Sequence, residues 1–362
     1  MNCKESIPSN NYYPGLTTLR AIAALMVYLH HVNPFPPKHH IFGFPIWGIL
    51  NEFHIGVTIF FVLSGFLIAM RYFDSNVSFK KYIWNRFTRI YPIYFLITLL
   101  TFSFKCYFND FSPYLIKIFL LNITLLRGFV ENYKFTLVAQ GWSLTVEETF
   151  YFLAPLIFML IRKHGKLVYF TPILLITFGL FLTKIFTNQN MWGGVDFAIN
   201  YTFFGRCTEF FIGILIANLI KSGIDKRFNL IANPYLGLFF AIFFAYILHF
   251  VSRYNNVDFG IRTIPGIVIN TLLIPLFVMG PIILSFTIKQ GKYKVFEYKF
   301  FQIIGKSSYV FYLIHVGVFR TMLHKFGIGN ELSILSILLF FAFLIWRFIE
   351  EPLNSKLKRI VV

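Results

Sequence analysis

The chain has 362 residues; 57% of them are hydrophobic, only 13% are charged, and the formal net charge is +18. Soluble domains carry about 25% charged residues, so the composition excludes a soluble enzyme, a secreted disulfide scaffold and a disordered regulator. Because the Lys and Arg residues lie mainly between apolar segments, basic cytoplasmic loops explain the charge better than nucleic-acid binding does, and we predict an all-α integral membrane protein.

Ten apolar segments are long enough to cross a bilayer, which takes roughly 17–25 residues of helix. The predicted spans are 16–34, 55–72, 91–107, 144–161, 166–186, 197–220, 235–251, 264–287, 301–323 and 332–349. A further apolar segment, 114–126, is shorter and contains Lys117 and Asn122. The distribution of charge between the loops decides whether this segment crosses as well.

Loop charge favours ten crossings with both termini in the cytoplasm. In that arrangement the inner segments hold 20 of the 33 Lys and Arg residues, and the outer segments hold 9. An additional crossing at 114–126 would turn every later basic loop outward, against the positive-inside rule. We therefore predict one polytopic domain over residues 1–362, with an outer excursion at 105–143 that includes a re-entrant or interfacial segment.

The cysteines and the polar start carry little functional information. Cys3, Cys106 and Cys207 lie far apart and lack metal-ligand spacing, so no metal site is predicted. Residues 1–15 lack the basic-then-apolar order of a cleaved signal peptide.

The first span carries Arg20 near its inner end and His31 near its outer end. Eleven residues make about three helical turns and roughly 16 Å, so both side chains point to one face. Arg20 alone would fit a side chain that snorkels to the interface. Because a charge inside a span costs about 2.5–3.5 kcal/mol, the shared face favours a functional polar path.

The second span contains a pair of small residues, and the loop after it contains a cluster of basic residues. Ser64-Gly65 predicts either a helix-packing face or a close approach of a substrate to the backbone. In the loop, Arg86 and Arg89 are three residues apart and therefore adjacent on a helix. They suit either anionic lipid headgroups or the phosphates of a cytoplasmic nucleotide-like cofactor.

Later spans contain further residues that lipid tolerates poorly. Glu147 lies near the outer end of the fourth span, where solvation alone does not explain a carboxylate. Arg206 and Glu209 are three residues apart, so they form either a structural ion pair or part of a substrate path. His315 lies well inside the ninth span and is either a satisfied core residue or a functional group.

Seven sequence blocks extend over nearly the whole chain: LTTLRAIAALMVYLHH, FFVLSGFLI, RFTRIYPIY, GWSLTVEETFYFLAPL, RCTEFFIG, SYVFYLIH and FIEEP. In this order they resemble the membrane-bound acyltransferase family 3, whose members O-acylate glycans and other acceptors. The first block matches the family's Arg and His, and the last maps the family's terminal Glu onto Glu350. Thr17 and Thr58 stand where the family usually has Asp, so two carboxylates near the expected path are missing.

The resemblance implies an O-acetyltransferase that uses cytoplasmic acetyl-CoA and acylates a hydroxyl of a surface or lipid-linked bacterial glycan, such as an O-antigen-like polysaccharide. Its donor phosphates would be bound by Arg20, Arg86 and Arg89. Neutral imidazole is a suitable base near pH 7, so we predict His31 as general base or transient acyl carrier. Glu147 would orient His31 or act as a second base, and His315 would share the catalytic role. The predicted substrate path is lined by Ser64, Trp142, Ser143, Arg206 and Glu209.

Many relatives carry an appended extracytoplasmic esterase-like domain, and we expect a one-component transferase here. The expected location is the bacterial cytoplasmic (inner) membrane, with membrane lipids as the surroundings. Two alternatives stay open. The donor carries a succinyl or longer acyl group, or the chain is a proton-coupled exporter of a glycan or small metabolite.

Overall fold

A computed structural model of the protein describes residues 12–37, 40–108, 112–186, 192–223 and 227–360. These residues form helices and no strand; one isolated antiparallel bridge pairs Ile41 with Phe44. The all-α prediction is therefore confirmed for this part of the chain. Cys3, most of the polar start and three residues of the outer excursion lie outside the described residues.

The helices are numbered in chain order. Helices α1 to α8 cover Pro14–His31, Ile46–Asn51, Ile55–Tyr72, Phe79–Phe108, Pro113–Ile123, Trp142–Lys163, Leu167–Phe186 and Val195–Tyr201. Helices α9 to α16 cover Phe203–Lys221, Pro234–Tyr254, Ile264–Val268, Gly280–Ile288, Lys299–Ile314, Val318–Lys325, Glu331–Ile345 and Glu351–Lys358. Two π-helical segments make continuous rods, because Ile269–Met279 joins α11 to α12 and Trp346–Glu350 joins α15 to α16.

Among the described residues, 8 helical segments are long and apolar enough to cross a membrane. They correspond to predicted spans two to eight and to the tenth. The first predicted span coincides with α1, and the ninth overlaps α13, which has only 16 residues. The segment predicted not to cross forms α5, whose 11 residues reach roughly 16 Å, about half of the hydrocarbon thickness.

The ninth predicted span, 301–323, is wrong as a single helix. Helix α13 ends at Ile314, and α14 begins at Val318. Gly317 between them has a φ of 91°, in the left-handed region that favours glycine, so the chain can turn there. The break places His315 at the end of a buried helix rather than in its middle.

The predicted inner segments meet at one end of the bundle, here called the basic end; the opposite end is called the far end. Hydrogen bonds join these segments in pairs: Tyr12–Gln302 (2.6 Å), Trp84–Leu357 (2.8 Å), Lys221–Asp74 (2.8 Å) and Lys289–Asn229 (2.8 Å). At the far end, Glu52 contacts the Gly260 N–H and Glu131 contacts the Gly194 N–H. These contacts gather several predicted inner segments at one end and several predicted outer segments at the other. The full topology stays a prediction, as does the expectation that the basic end faces the cytoplasm.

Glycine allows the central helices to approach closely. A Cβ atom on Gly65 of α3 would collide with the backbone of Phe210 in α9, and one on Gly213 of α9 would collide with the Val62 carbonyl. Gly65 therefore serves helix packing. The neighbouring Ser64 lines a cavity inside the bundle.

Candidate functional site

Within the described part of the chain, three cavities lie in series through the bundle, and neighbouring cavities share wall residues. The vestibule, about 1400 Å³, lies at the basic end between α1, α3, α4, α13 and α16. The inner cavity, about 830 Å³, shares Arg20, Leu67 and Arg89 with the vestibule. The outer cavity, about 1110 Å³, shares Val57 and Tyr312 with the inner cavity and lies toward the far end.

The vestibule is lined by basic side chains that come from five different helices: Arg20, Arg71, Arg89, Lys306 and Lys358. Glu350 is buried among them, with its Oε1 atom 3.9 Å from Arg89 Nη1. Neither carboxylate oxygen of Glu350 has a hydrogen-bond partner among the described residues. The excess of positive charge suits a ligand that carries several phosphate groups.

The inner cavity gathers most of the residues predicted from the sequence motifs: Arg20, Ser64, Arg86, Arg89, Ser143 and Glu147. The Ser64 hydroxyl donates to Glu147 Oε1, which also accepts a hydrogen bond from the Tyr151 hydroxyl (2.8 Å). The Arg86 guanidinium lies 5.9 Å from the centroid of the Tyr151 ring. Two hydroxyl donors and a nearby cation therefore fix the Glu147 carboxylate in the middle of the bundle.

The outer cavity presents three imidazoles among its described lining residues: His30, His31 and His54. The His31 ring centroid lies 4.8 Å from that of His30 and 5.4 Å from that of His315. His31 is exposed, whereas His315 is fully buried and its Nδ1 lies 2.8 Å from the Tyr312 carbonyl oxygen. His31 is therefore accessible to a ligand in the outer cavity, while His315 packs behind it.

Backbone carbonyls fix the tautomers of the other two imidazoles. His30 Nδ1 lies 2.6 Å from the Asn51 carbonyl oxygen, and His54 Nδ1 lies 2.8 Å from the Glu52 carbonyl oxygen. Because a carbonyl only accepts, Nδ1 carries the proton in both rings and Nε2 is the basic nitrogen. Burial lowers the pKa of His54 to about 3, so this ring is neutral near pH 7. Nowhere in the described residues are three or more His, Cys, Asp or Glu side chains grouped to hold a metal ion.

Arg206 and Glu209 form a buried ion pair. Arg206 Nε donates to both carboxylate oxygens, at 2.9 and 3.0 Å, and Nη2 donates to one of them at 2.6 Å. Arg206 also donates to the Thr58 hydroxyl (2.9 Å), which donates to Asn270 Oδ1 (3.0 Å). Arg206 and Glu209 therefore form the structural ion pair that was one of the two predicted roles. Arg206 also lines the outer cavity. Thr58, in place of the expected Asp, joins this network through a neutral hydroxyl.

Two buried ionisable side chains at the far end, Arg127 and Glu52, hold loops around the outer cavity. Arg127 donates to the carbonyls of Thr136 and Val138 (2.6 Å to the latter), which orders the excursion that leads into α6. Burial lowers the pKa of the Arg127 guanidinium. Glu52 accepts hydrogen bonds from the Gly260 N–H at 3.0 and 3.2 Å, and burial raises the pKa of Glu52 to about 7.

The structure separates some residues that the sequence analysis grouped together. Glu147 lines the inner cavity and His31 the outer cavity, so the expected direct orientation of His31 by Glu147 is absent. The consecutive residues Trp142 and Ser143 line different cavities, Trp142 the outer and Ser143 the inner.

Sequence reasoning missed several cavity residues: Arg71, Lys306, Lys358, His54 and Tyr312. Tyr312 carried a usable signal, because it lies three residues before His315 on the same helix face. Lys306 lies within a predicted span, where a charge already indicates a polar surrounding. Arg71 and Lys358 lie in ordinary basic segments, where nothing local distinguishes a vestibule residue from a residue that contacts lipid headgroups.

A family model described as an acyltransferase domain matches residues 13–349. The chain belongs to this acyltransferase family. The matched range contains every described residue that lines the inner and outer cavities. The predicted family is therefore confirmed, while Glu350 of the last sequence block lies just beyond the matched range.

Similar proteins support the same family. A putative O-acetyltransferase of Staphylococcus aureus (strain COL) is 24% identical over 379 residues, which cover 95% of this chain and 58% of that protein. The peptidoglycan O-acetyltransferase OatA of Listeria monocytogenes is 24% identical over 378 residues, covering 96% of this chain and 56% of OatA. The chain thus spans little more than half the length of these curated relatives. No solved structure matches it.

Proposed function

We propose that this protein is a membrane O-acetyltransferase that moves an acetyl group from acetyl-CoA at the basic end to a glycan hydroxyl at the far end. The proposal is carried by the three adjoining cavities, which offer cations in the vestibule, a fixed carboxylate in the inner cavity and an accessible imidazole in the outer cavity. Membership of the acyltransferase family supports the reaction class. The relatives named as O-acetyltransferases support acetyl as the transferred group.

The vestibule is the proposed site of the CoA phosphates. Guanidinium groups bind phosphate through two parallel hydrogen bonds, a role suited to Arg20 and Arg89, which border both the vestibule and the inner cavity. Arg71, Lys306 and Lys358 add charge around the mouth of the vestibule. Arg86 lines only the inner cavity, so it faces the acyl-bearing arm of the donor and not its nucleotide head.

The outer cavity is the proposed site of the acceptor. A hydroxyl is a weak nucleophile until a base takes its proton, and His31 is the accessible imidazole for that step. Trp142 and Tyr201 offer aromatic surface, while Gln140 and Asn270 offer amide groups, a combination that suits the apolar face and the hydroxyls of a sugar. The name of the Listeria relative, a peptidoglycan O-acetyltransferase, supports a glycan as the acceptor.

The proposed location is the bacterial cytoplasmic membrane, with the basic end toward the cytoplasm. Positive loops are retained on that side, and acetyl-CoA is supplied there. The far end then meets lipid-linked or surface glycans. This orientation makes the series of cavities a route for an acyl group across the bilayer, so that the donor never leaves the cytoplasm.

Mass spectrometry of surface glycans from cells with and without the gene tests the acceptor and the acyl group together. We expect a gain of one acetyl group on the modified sugar, and a larger gain would replace acetyl by succinyl or a longer group. Purified protein in liposomes supplies the second measurement. Release of free CoA that depends on the acceptor is expected, whereas movement of a glycan without CoA release would establish an exporter and overturn the proposal.

A further inference from the structure

Tyr312 lies in the wall between the inner cavity and the outer cavity. Tyr312 and Val57 are the only described residues that line both the inner and the outer cavity. Val57 is apolar, so the Tyr312 hydroxyl is the polar group of this shared wall. The side chain comes from the last turn of α13, which ends at Ile314, directly before His315.

Contacts on several sides hold the Tyr312 ring in the wall. Its hydroxyl lies 2.8 Å from Ser143 Oγ and donates to the Gln140 carbonyl at 3.4 Å. The ring packs edge-on against Phe60 and lies 5.6 Å from the His315 ring. Tyr312 is only 7% exposed, so the phenol is a fixed group between two cavities and not a mobile surface residue.

The reaction requires the two substrates to meet at this wall. The acyl carbon and the attacking oxygen must come within about 3–3.5 Å of each other. A donor that enters through the vestibule reaches the wall from the inner cavity, and an acceptor beside His31 reaches it from the outer cavity. As the new bond forms, the carbonyl oxygen becomes an oxyanion and needs a hydrogen-bond donor already in place.

We infer that Tyr312 serves the transfer in two ways: its hydroxyl turns from the long contact with the Gln140 carbonyl to donate a hydrogen bond to the oxyanion, and its ring keeps water of the outer cavity away from the thioester. The inference rests on the proposed function and adds a catalytic residue to it. Helix α6 begins at Trp142, beside the same wall, so the positive end of its dipole supports the same charge.

The atoms and protons balance as follows. The acceptor oxygen forms a bond to the acyl carbon while its proton passes to His31. The carbon–sulfur bond then breaks, and the electron pair leaves with the CoA thiolate, which takes a proton from water at the basic end. His31 releases its proton to water in the outer cavity. Tyr312 keeps its own proton throughout and only donates a hydrogen bond.

The first test is Tyr312→Phe, which keeps the ring and removes the hydroxyl. We expect kcat for acetyl transfer to fall about 10²–10³-fold with the KM of both substrates nearly unchanged, as for loss of one oxyanion donor. The matched control is Tyr94→Phe, which removes a buried tyrosine hydroxyl that donates to the Asn122 carbonyl; Tyr94 lines none of the three cavities. A Tyr312→Phe protein with the kcat of the control would overturn the oxyanion role.

The second test measures CoA release from acetyl-CoA when no acceptor is present. Tyr312→Ala opens the wall, so we expect hydrolysis to rise well above the wild-type rate, while Tyr312→Phe stays low. Should the Ala variant unfold, Tyr312→Leu opens the same wall with a smaller loss of volume. If hydrolysis stays at the wild-type level in a folded variant with an open wall, the Tyr312 ring does not keep water away from the thioester. Wild-type protein that transfers no acyl group at all would overturn the proposed function itself, a separate outcome.

Discussion

The two ends of the site are built on opposite electrostatic principles. At the basic end, five cations surround the buried and unsatisfied Glu350, so positive charge is in excess before any ligand binds. At the far end, the outer cavity presents imidazoles, and the charge of Arg206 is already balanced by Glu209. Burial keeps His54 neutral there by lowering its pKa to about 3.

This difference follows from what each substrate brings. A donor with phosphate groups supplies the negative charge that a cluster of neighbouring cations needs, so the protein need not pair them all. An acceptor alcohol carries no charge and must lose its proton to react. The groups around it can therefore be uncharged, and one of them must accept a proton near pH 7. Variants that remove a group from one end should therefore alter one substrate's kinetics and leave the other's intact.

The largest effect is expected from His31→Ala. Loss of the general base should lower kcat about 10³-fold, or roughly 4 kcal/mol in the activation free energy, while the KM for acetyl-CoA changes little. Steady-state kinetics with acetyl-CoA varied at a saturating acceptor concentration measures both constants. His164→Gln, in the turn after α6 at the basic end, is the control for loss of an imidazole. Normal transfer by a folded His31→Ala protein would remove the catalytic assignment.

Glu52→Gln tests how a buried carboxyl group at the far end changes the free energy of unfolding with pH. Because burial raises the pKa of Glu52 to about 7, its protonated form stabilises the folded state fully below about pH 4.5, and this contribution is lost as the pH rises to about 7. At pH 8 the variant should be more stable than the wild type by up to roughly 3 kcal/mol, and at pH 5 the difference should nearly vanish. Unfolding at both pH values measures this difference.

The control for that experiment is Glu297→Gln at the basic end, which removes a carboxylate outside the far-end loops and is measured at the same two pH values. A Glu52→Gln protein that is less stable than the wild type at pH 8 would mean that the charged carboxylate, through its bonds to the Gly260 N–H, stabilises the loop.

Removing a cation from the basic end should weaken the binding of acetyl-CoA. Arg89→Ala should raise the KM for acetyl-CoA about 10–100-fold, because a hydrogen bond to a charged group contributes about 1.5–3 kcal/mol. The acceptor KM should stay unchanged. Arg359→Ala removes a basic-end charge outside the described cavities and is the control. If Arg89→Ala lowers only membrane insertion and leaves donor affinity untouched, the phosphate role is wrong.

The smallest effect is expected at the mouth of the vestibule. Lys306→Ala and Lys358→Ala should each raise the KM for acetyl-CoA about 2–5-fold, since partly exposed ion pairs contribute about 0.2–1 kcal/mol. The acetyl thioester of dephospho-CoA lacks the 3′-phosphate and serves as the comparison substrate. Equal loss with both thioesters would place these lysines away from the 3′-phosphate.

Much of the site was predictable because intramembrane polar residues are rare and costly. Arg20, His31 and Glu147 stand out in apolar segments, and the positive-inside rule orders the loops around them. The partners of these residues were not predictable. Ser64 meets Glu147 across 83 positions of sequence, and this contact depends on how α3 and α6 are rotated about their axes. Hydropathy carries no information on that rotation.

The sequence by itself determined the class of the protein, the positions of most of its apolar helices, and the chemical groups available inside the bundle. These properties are local, because the transfer of each side chain into lipid depends mainly on that side chain and its immediate neighbours. Only the tertiary structure decided which groups share a cavity, that Glu147 and His31 do not, and that Tyr312 lies between the two. Those facts depend on the packing of helices distant in sequence, where a rotation of one helix moves a side chain from one cavity to the next.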